Sequence, residues 1–213
     1  MAYWVDPKVE DTYHTLAMEE KSYTLIFCRR ETPSGFNEIL LGMKKRGFGT
    51  GKWNGFGGKI ESGESAEQGA IRELEEESSL VVSGENMLAR GYLVFNMKES
   101  QKIMKVHVYE TWKWSGNEAE SDEMRPQWWR EDSIPFELTW LDDKYWMPLL
   151  LESKTFVGRQ VTHLQIIHSV RPLKIVRDGL QHLFPSRNSF FFLFDRFDYS
   201  DDETITDYTL MEQ

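Results

Sequence analysis

The stretch from Ser65 to Ser79 limits what this chain can become more than any other. It holds good helix formers throughout except Gly69, and it gathers negative charge on one side. Each helical residue advances about 100°, so Glu73, Glu76 and Glu77 fall within one arc, with Ala66, Gly69 and Ala70 on the same arc one or two turns earlier. Bulk is missing where a loop could cross, and charge sits just beyond. Like charges three and four residues apart cost an isolated helix roughly 0.2–0.5 kcal/mol per pair. A solvated acidic face would tolerate that cost, and a bound cation would offset it. The surroundings favour the cation: Gly57-Gly58 precede the helix, Glu64 follows Gly58 by six residues, and Arg72 adjoins Glu73. Oxygen ligands at this density suit a hard ion such as Mg²⁺, whereas one cysteine and scattered histidines do not suggest zinc. Arg72 could pair with Glu64 or orient Glu73.

The chain has 213 residues, 40% of them hydrophobic, enough for one well-cored domain. Its formal charge of −10 disfavours a duplex-coating role and leaves room for a small anionic substrate if a metal reverses the local field. The single cysteine, Cys28, excludes an internal disulfide and points to a reducing compartment. There is no apolar run of membrane-spanning length, and the acidic first twenty residues fit neither a secretory nor a transit leader. A cytoplasmic address is expected, with a nuclear or mitochondrial fraction compatible.

Residues 1–21 read as an acidic N-terminal extension. Tyr23–Cys28 and Glu38–Met43 read as buried strands joined through turn residues 31–35, and residues 47–58 as a glycine-punctuated loop. Gly91–Met97 and Met104–Trp112 are further strands. Glu131–Pro148 reads as an aromatic-rich loop, with a short helix starting at Leu149. Residues 159–189 carry Arg159, Arg171, Lys174, Arg177 and Arg187 against Asp178 alone, a local +4 that leaves −14 elsewhere. A basic insertion without catalytic role is expected there. Phe190–Phe197 reads as a strand and Thr204–Leu210 as a short terminal strand or helix turn.

Gly58-x5-Glu64-x7-Arg72-Glu73-Leu74-x-Glu76-Glu77-x-Ser79-Leu80 resembles the Nudix box, departing from it only at Ser79, where the family has glycine. Ser79 falls at the helix C-terminus, where glycine eases a left-handed turn, so serine should cost stability without removing a ligand. Leu41–Gly49, Trp53–Lys59, Glu120–Pro126 and Trp140–Asp143 extend the resemblance to the MutT-homologue branch, whose members hydrolyse oxidised purine nucleoside triphosphates. The resemblance implies an α+β fold: an α/β/α sandwich around a mixed β-sheet, with the loop–helix–loop of the box. It implies one Nudix domain over 22–213, interrupted at about 159–189.

Carried over position by position, the resemblance makes Glu73, Glu76, Glu77 and Glu123, with Gly57 and Gly58, the Mg²⁺ ligands. Arg72 and Glu64 support them, and Glu77 or Glu123 is the general base. It places Thr24, Lys44, Phe48, Asn54, Phe56, Gly57, Gly58, Lys59, Trp140, Leu141, Asp142 and Asp143 around the substrate. The chemistry of these residues agrees: an indole stacks on a purine, and Asn54 and the aspartates can satisfy its edge. Two adjacent carboxylates in a dry pocket resist double ionisation, so one can hold a proton and donate. Phe95, Met97 and Met104 would form an apolar wall. Leu141 stands where the branch commonly has proline. The expected activity is release of a nucleoside monophosphate and pyrophosphate by a monomer acting on a small nucleotide, with no nucleic-acid polymer and no membrane as partner. The alternatives are a Nudix hydrolase for another nucleoside diphosphate derivative and a binding module without catalysis.

Overall fold

A computed structural model describes residues 19–97, 101–162, 168–170 and 208–210. Its centre is a mixed sheet of β1 (Glu19–Glu31), β2 (Asn37–Lys44), β3 (Trp53–Asn54), β4 (Met87–Met97), β5 (Lys102–Thr111), β6 (Met124–Arg130) and β7 (Phe156–Thr162). The strand order is β3-β2-β1-β5-β4-β7, with β6 pairing β2 along its other edge. β1 runs parallel to β5, and β4 parallel to β7, while the other pairs are antiparallel.

Side chains alternate across this sheet and build two cores. Leu25 and Phe27 of β1, Ile39 and Leu41 of β2 and Val106 and Val108 of β5 face one side, where they meet Trp146, Met147 and Leu150 of α2 (Asp143–Leu151). Ile26, Cys28 and Leu40 face the other, against Ala70 and Leu74 of α1 (Ala66–Ser78). The expected sandwich is therefore present, one helix on each face. Among the described residues, no helix is long and apolar enough to cross a membrane.

Several expected elements are found with changed limits. The β1–β2 hairpin turns where Gly35 N–H donates to Thr32 O at 2.9 Å. β1 begins at Glu19, inside the stretch read as an extension, because residues 19–28 pair continuously with 102–111 of β5. The loop expected over Glu131–Pro148 is instead largely helical from Asp143. Pro148 reads as a breaker, yet burial of Tyr145, Trp146, Met147 and Leu150 outweighs the one hydrogen bond that proline removes. β6 was missed altogether, since Met124–Arg130 shows no clean alternation. β7 continues through Thr162, past the expected start of the insertion. Within the expected insertion, β8 (His168–Val170) pairs in parallel with β9 (Tyr208–Leu210). The strand expected at Phe190–Phe197 lies outside the described residues.

One local feature places the functional loop. β1 and β2 pair directly only from Cys28↔Leu40 to Glu31↔Asn37. Beyond that they part, and residues 55–59 enter the gap. Ile26 N–H donates to Phe56 O at 2.7 Å, Phe56 N–H to Ile26 O at 3.0 Å, and Thr24 N–H to Gly58 O at 2.9 Å. A Cβ on Gly57 would stand 2.1 Å from Thr24 O, and one on Gly58 would stand 2.4 Å from Glu73 Oε1. These two glycines let backbone lie between β1 and the acidic arc of α1.

Candidate active site

α1 starts at Ser65, whose hydroxyl accepts the Gln68 N–H at 3.2 Å while Gln68 Oε1 accepts the Ser65 N–H at 2.8 Å. From there the helix turns its small residues and its glutamates toward the inserted loop. Glu77 is almost wholly buried, and its Oε2 accepts the Gly57 N–H at 2.9 Å. Lys44 Nζ, at the end of β2, lies 3.7 Å from Glu77 Oε1 and 3.5 Å from Glu123 Oε2. Arg46 pairs with the other Glu123 oxygen, and Lys45 with Glu120 at 2.7 Å.

Arg72 organises the other half of the cluster. Its Nη2 and Nε donate to Glu64 at 2.8 and 3.2 Å, and its Nη1 to Glu73 at 2.9 Å and Glu76 at 3.1 Å. Nη2 also reaches Lys59 O at 3.3 Å. Both roles open to Arg72 in the sequence are thus filled at once. Glu64 Oε1 in turn accepts the Glu61 N–H at 2.7 Å.

Burial and charge divide these carboxylates. Burial raises the pKa of Glu73, and raises that of Glu77 to about 7 against the pull of Gly57 and Lys44. The Arg72 guanidinium holds Glu64 below the usual range, and the Arg46 guanidinium does the same for Glu123. Glu73 and Glu123 both repel Glu77. Among the described residues no three acidic, histidine or cysteine side chains stand close enough together to hold a metal ion as they are placed. The chemistry of the donors nevertheless fits a hard divalent cation: they are all oxygen, and burial disfavours the charge of two of the carboxylates.

The residues expected around the base lie mostly across the sheet. Trp140 stacks on Phe48, ring centroids 5.0 Å apart and planes 27° from parallel. Gly49 passes so close that a Cβ there would stand 2.5 Å from Trp140 Cζ2. Asp142 and Asp143 are both buried at the start of α2. Asp143 Oδ2 accepts the Trp140 N–H at 3.1 Å, and Asp142 Oδ2 accepts the Trp146 indole N–H at 3.0 Å. Burial, with the neighbouring Asp142 charge, pushes Asp143 well above the usual carboxylate range. Phe95 packs half-buried on this side, paired with Met104 across β4 and β5, and Met97 shares its face by alternation.

Other expected residues stand apart. The Thr24 side chain faces α1, with Cγ2 3.5 Å from where a Gly69 Cβ would be, so it is not beside the aspartates. Its buried hydroxyl has no hydrogen-bond partner among the described residues. Phe56 is fully buried in the α1-side core, so the only part of it along the inserted loop is backbone. Asn54 accepts its own neighbour, Gly55 N–H, at 2.8 Å. Lys59 is exposed and Leu141 half-buried. Trp146 and Arg46 were not anticipated. The spacing of four between Asp142 and Trp146 would have revealed the first, had the helix been recognised.

The β2–β3 connection ties the two sides together: Lys44 reaches Glu77 on one face, and Gly49 touches Trp140 on the other. Comparison with known proteins agrees with this geometry. Residues 20–150 match the model of the NUDIX domain. The chain is 52% identical over 120 residues to the oxidized purine nucleoside triphosphate hydrolases of Danio rerio and of Mus musculus, spanning 56% of this chain and 76% of each relative. The fold is also similar to that of the MutT protein of Bacillus halodurans, with TM-score 0.55 and 22% identity over 65% of this chain and 90% of that one.

Proposed function

Because the chain belongs to the Nudix family, we propose that it hydrolyses oxidised purine nucleoside triphosphates of the 8-oxo-dGTP and 2-hydroxy-dATP class to the monophosphate and pyrophosphate. The observation that carries this reading is the buried Asp142–Asp143 pair beside Trp140, joined through one short connection to the carboxylate helix. The relatives' names point to the same substrate class.

In this reading the two faces divide the work. On the α2 side, Trp140 and Phe48 offer aromatic surface to a purine. Burial and the neighbouring Asp142 charge favour the protonated form of Asp143, which would donate to the base edge while Asp142 accepts from it. A purine whose oxidation turns a ring-nitrogen acceptor into an N–H donor beside a new carbonyl meets a complementary edge, and an unmodified purine leaves a buried group unpaired. On the α1 side, Glu73, Glu76, Glu77 and Glu123, with the Gly57–Gly58 backbone, would hold Mg²⁺, which supplies Lewis-acid neutralisation of the polyphosphate. Arg72 fixes Glu73 and Glu64, and Lys44 adds positive charge beside the phosphates. A water oxygen adds to phosphorus, the α–β anhydride bond breaks, and pyrophosphate leaves. Glu77, pushed up to about 7 by burial, or Glu123, held below the usual range by Arg46, takes the water proton. The same reading takes the chain from Glu19 onward as one domain, with the inserted length after Thr162 having no part in the reaction.

The test is pyrophosphate release with Mg²⁺ across a panel of 8-oxo-dGTP, 2-hydroxy-dATP, dGTP, dATP and ADP-ribose. The expected result is a kcat/KM at least about 100-fold higher for an oxidised purine than for its parent. Equal turnover of dGTP and 8-oxo-dGTP overturns the substrate assignment. No release from any nucleotide makes the chain a binding module.

A further inference from the structure

Far from the box, on the α2 side of the sheet, lies a buried charge cluster to which the proposed reaction assigns no part. Arg29 of β1 is 1% exposed and Glu110 of β5 is 0% exposed. Arg29 Nη1 donates to Glu110 Oε2 at 2.8 Å, and its Nε and Nη2 grip both oxygens of Glu131 at 2.7 and 3.0 Å. Arg90 donates to the second Glu110 oxygen and, at 2.9 Å, to Ser153 O. Trp112 lies under the Arg29 guanidinium at 4.5 Å. Two arginines and two glutamates make the cluster formally neutral.

The remaining bonds of Arg29 have a direction. Nη1 donates to Leu150 O at 3.0 Å and Nη2 to Leu151 O at 2.7 Å, the last carbonyls of α2; Nη1 also reaches Ser153 Oγ at 3.3 Å. α2 has no basic residue in its own last turn. Arg29 supplies that positive charge from the sheet, at the negative end of the helix dipole. The helix needs the support. It is nine residues long, and Pro148 has no N–H to give the Lys144 carbonyl. Its chain leaves through Ser153 in the left-handed region, φ 56°, with Lys154 N–H closing on Leu149 O at 2.9 Å. At the other end, about 13 Å away along the axis, stand Asp142 and Asp143.

We propose that Arg29 is a positioning residue for base recognition. By gripping the final carbonyls of α2 and tying them to Glu110 and Glu131, it sets the height and register of that helix over the sheet, and thereby the place of the two aspartates. This rests on the reading of Asp142 and Asp143 as base contacts. The carboxylates of α1 are on the opposite face and do not depend on the clamp.

The test compares Arg29→Met, Arg29→Lys and the charge-balanced Arg29→Met/Glu131→Gln with the full-length protein. KM for 8-oxo-dGTP should rise about tenfold or more in the Met variants, with kcat within about twofold. Discrimination against dGTP should fall, and Lys should recover part of both. The Trp146 indole N–H resonance, which reports the bond to Asp142, should shift, while amides of α1 stay in place. Folded variants with unchanged KM, discrimination and indole resonance overturn the proposal. So does loss of fold in all three, which would make the cluster a stability element only. Asp142→Asn measured alongside separates the two readings: if it leaves discrimination intact, the base assignment has failed, and the indole resonance alone decides on the clamp.

Discussion

At the scale of single residues, Glu77 is the α1 carboxylate whose surroundings oppose its charge most. Its carboxyl is pushed from the ordinary 4.5 up to about 7. Below about pH 4.5 it is protonated folded or unfolded and costs nothing. Above about pH 7 it is ionised in both states, and the folded protein bears the burial penalty, up to about 3 kcal/mol. Metal-stripped protein should therefore lose stability between pH 4.5 and 7, and Glu77→Gln should lack that loss while turning over substrate at least about 100-fold more slowly. Urea unfolding in EDTA at pH 5 and 8, with pyrophosphate assays in Mg²⁺, checks both; parallel pH slopes for the two proteins would refute the burial penalty. The grouping of Glu73, Glu76 and Glu77 was legible from helical spacing. That Glu77 is buried and Glu76 exposed was not, because it depends on where Gly57 crosses the arc.

Among elements, α1 follows its sequence closely and α2 does not. Most local signals in α1 agree, from the Ser65–Gln68 box to the run of helix formers broken only by Gly69. Ser79 takes the left-handed conformation, φ 63°, with its N–H on Glu75 O at 2.8 Å, in the position where the box has glycine. Ser79→Gly should raise stability by about 0.5–1 kcal/mol and leave kcat/KM unchanged; an unaltered denaturation midpoint would show that serine is unstrained there. In α2 local signals conflict: proline and aspartates read as loop, and the burial that overrides them comes from β1, β5 and β7, distant in sequence. β6 was hidden for a related reason. Pro126 and the Trp128-Trp129 pair obscure alternation, and the strand is defined by its partner β2.

On the scale of the molecule, the sheet is a partition, with the α1 carboxylates on one face and Trp140, Asp142 and Asp143 on the side of α2. The sandwich itself was legible through the box and its flanking strands. Its C-terminal edge was not, since β7 joins β4 in parallel, a pairing with no local signature. A chain lacking 159–189 loses the partners of Val94, Phe95, Asn96 and Met97 on β4. It should have a lower urea midpoint and a higher KM than one lacking only 163–189. Identical behaviour would show that the second half of β7 contributes nothing.

The two-faced sheet also dictates how such a chain can drift in length. Lys44 belongs to the Glu77 side because it is an even number of residues from Leu40, and Met43 packs on the other side because it is not. Losing one residue inside Asn37–Lys44 would hand each face the other's side chains, ending the proposed metal binding and the proposed base discrimination in one genetic event. Insertions at the exposed hairpin tip, residues 33–36, disturb neither. Descendants of this sequence can retune one face by substitution while the other is held constant, but the central strands must keep their count.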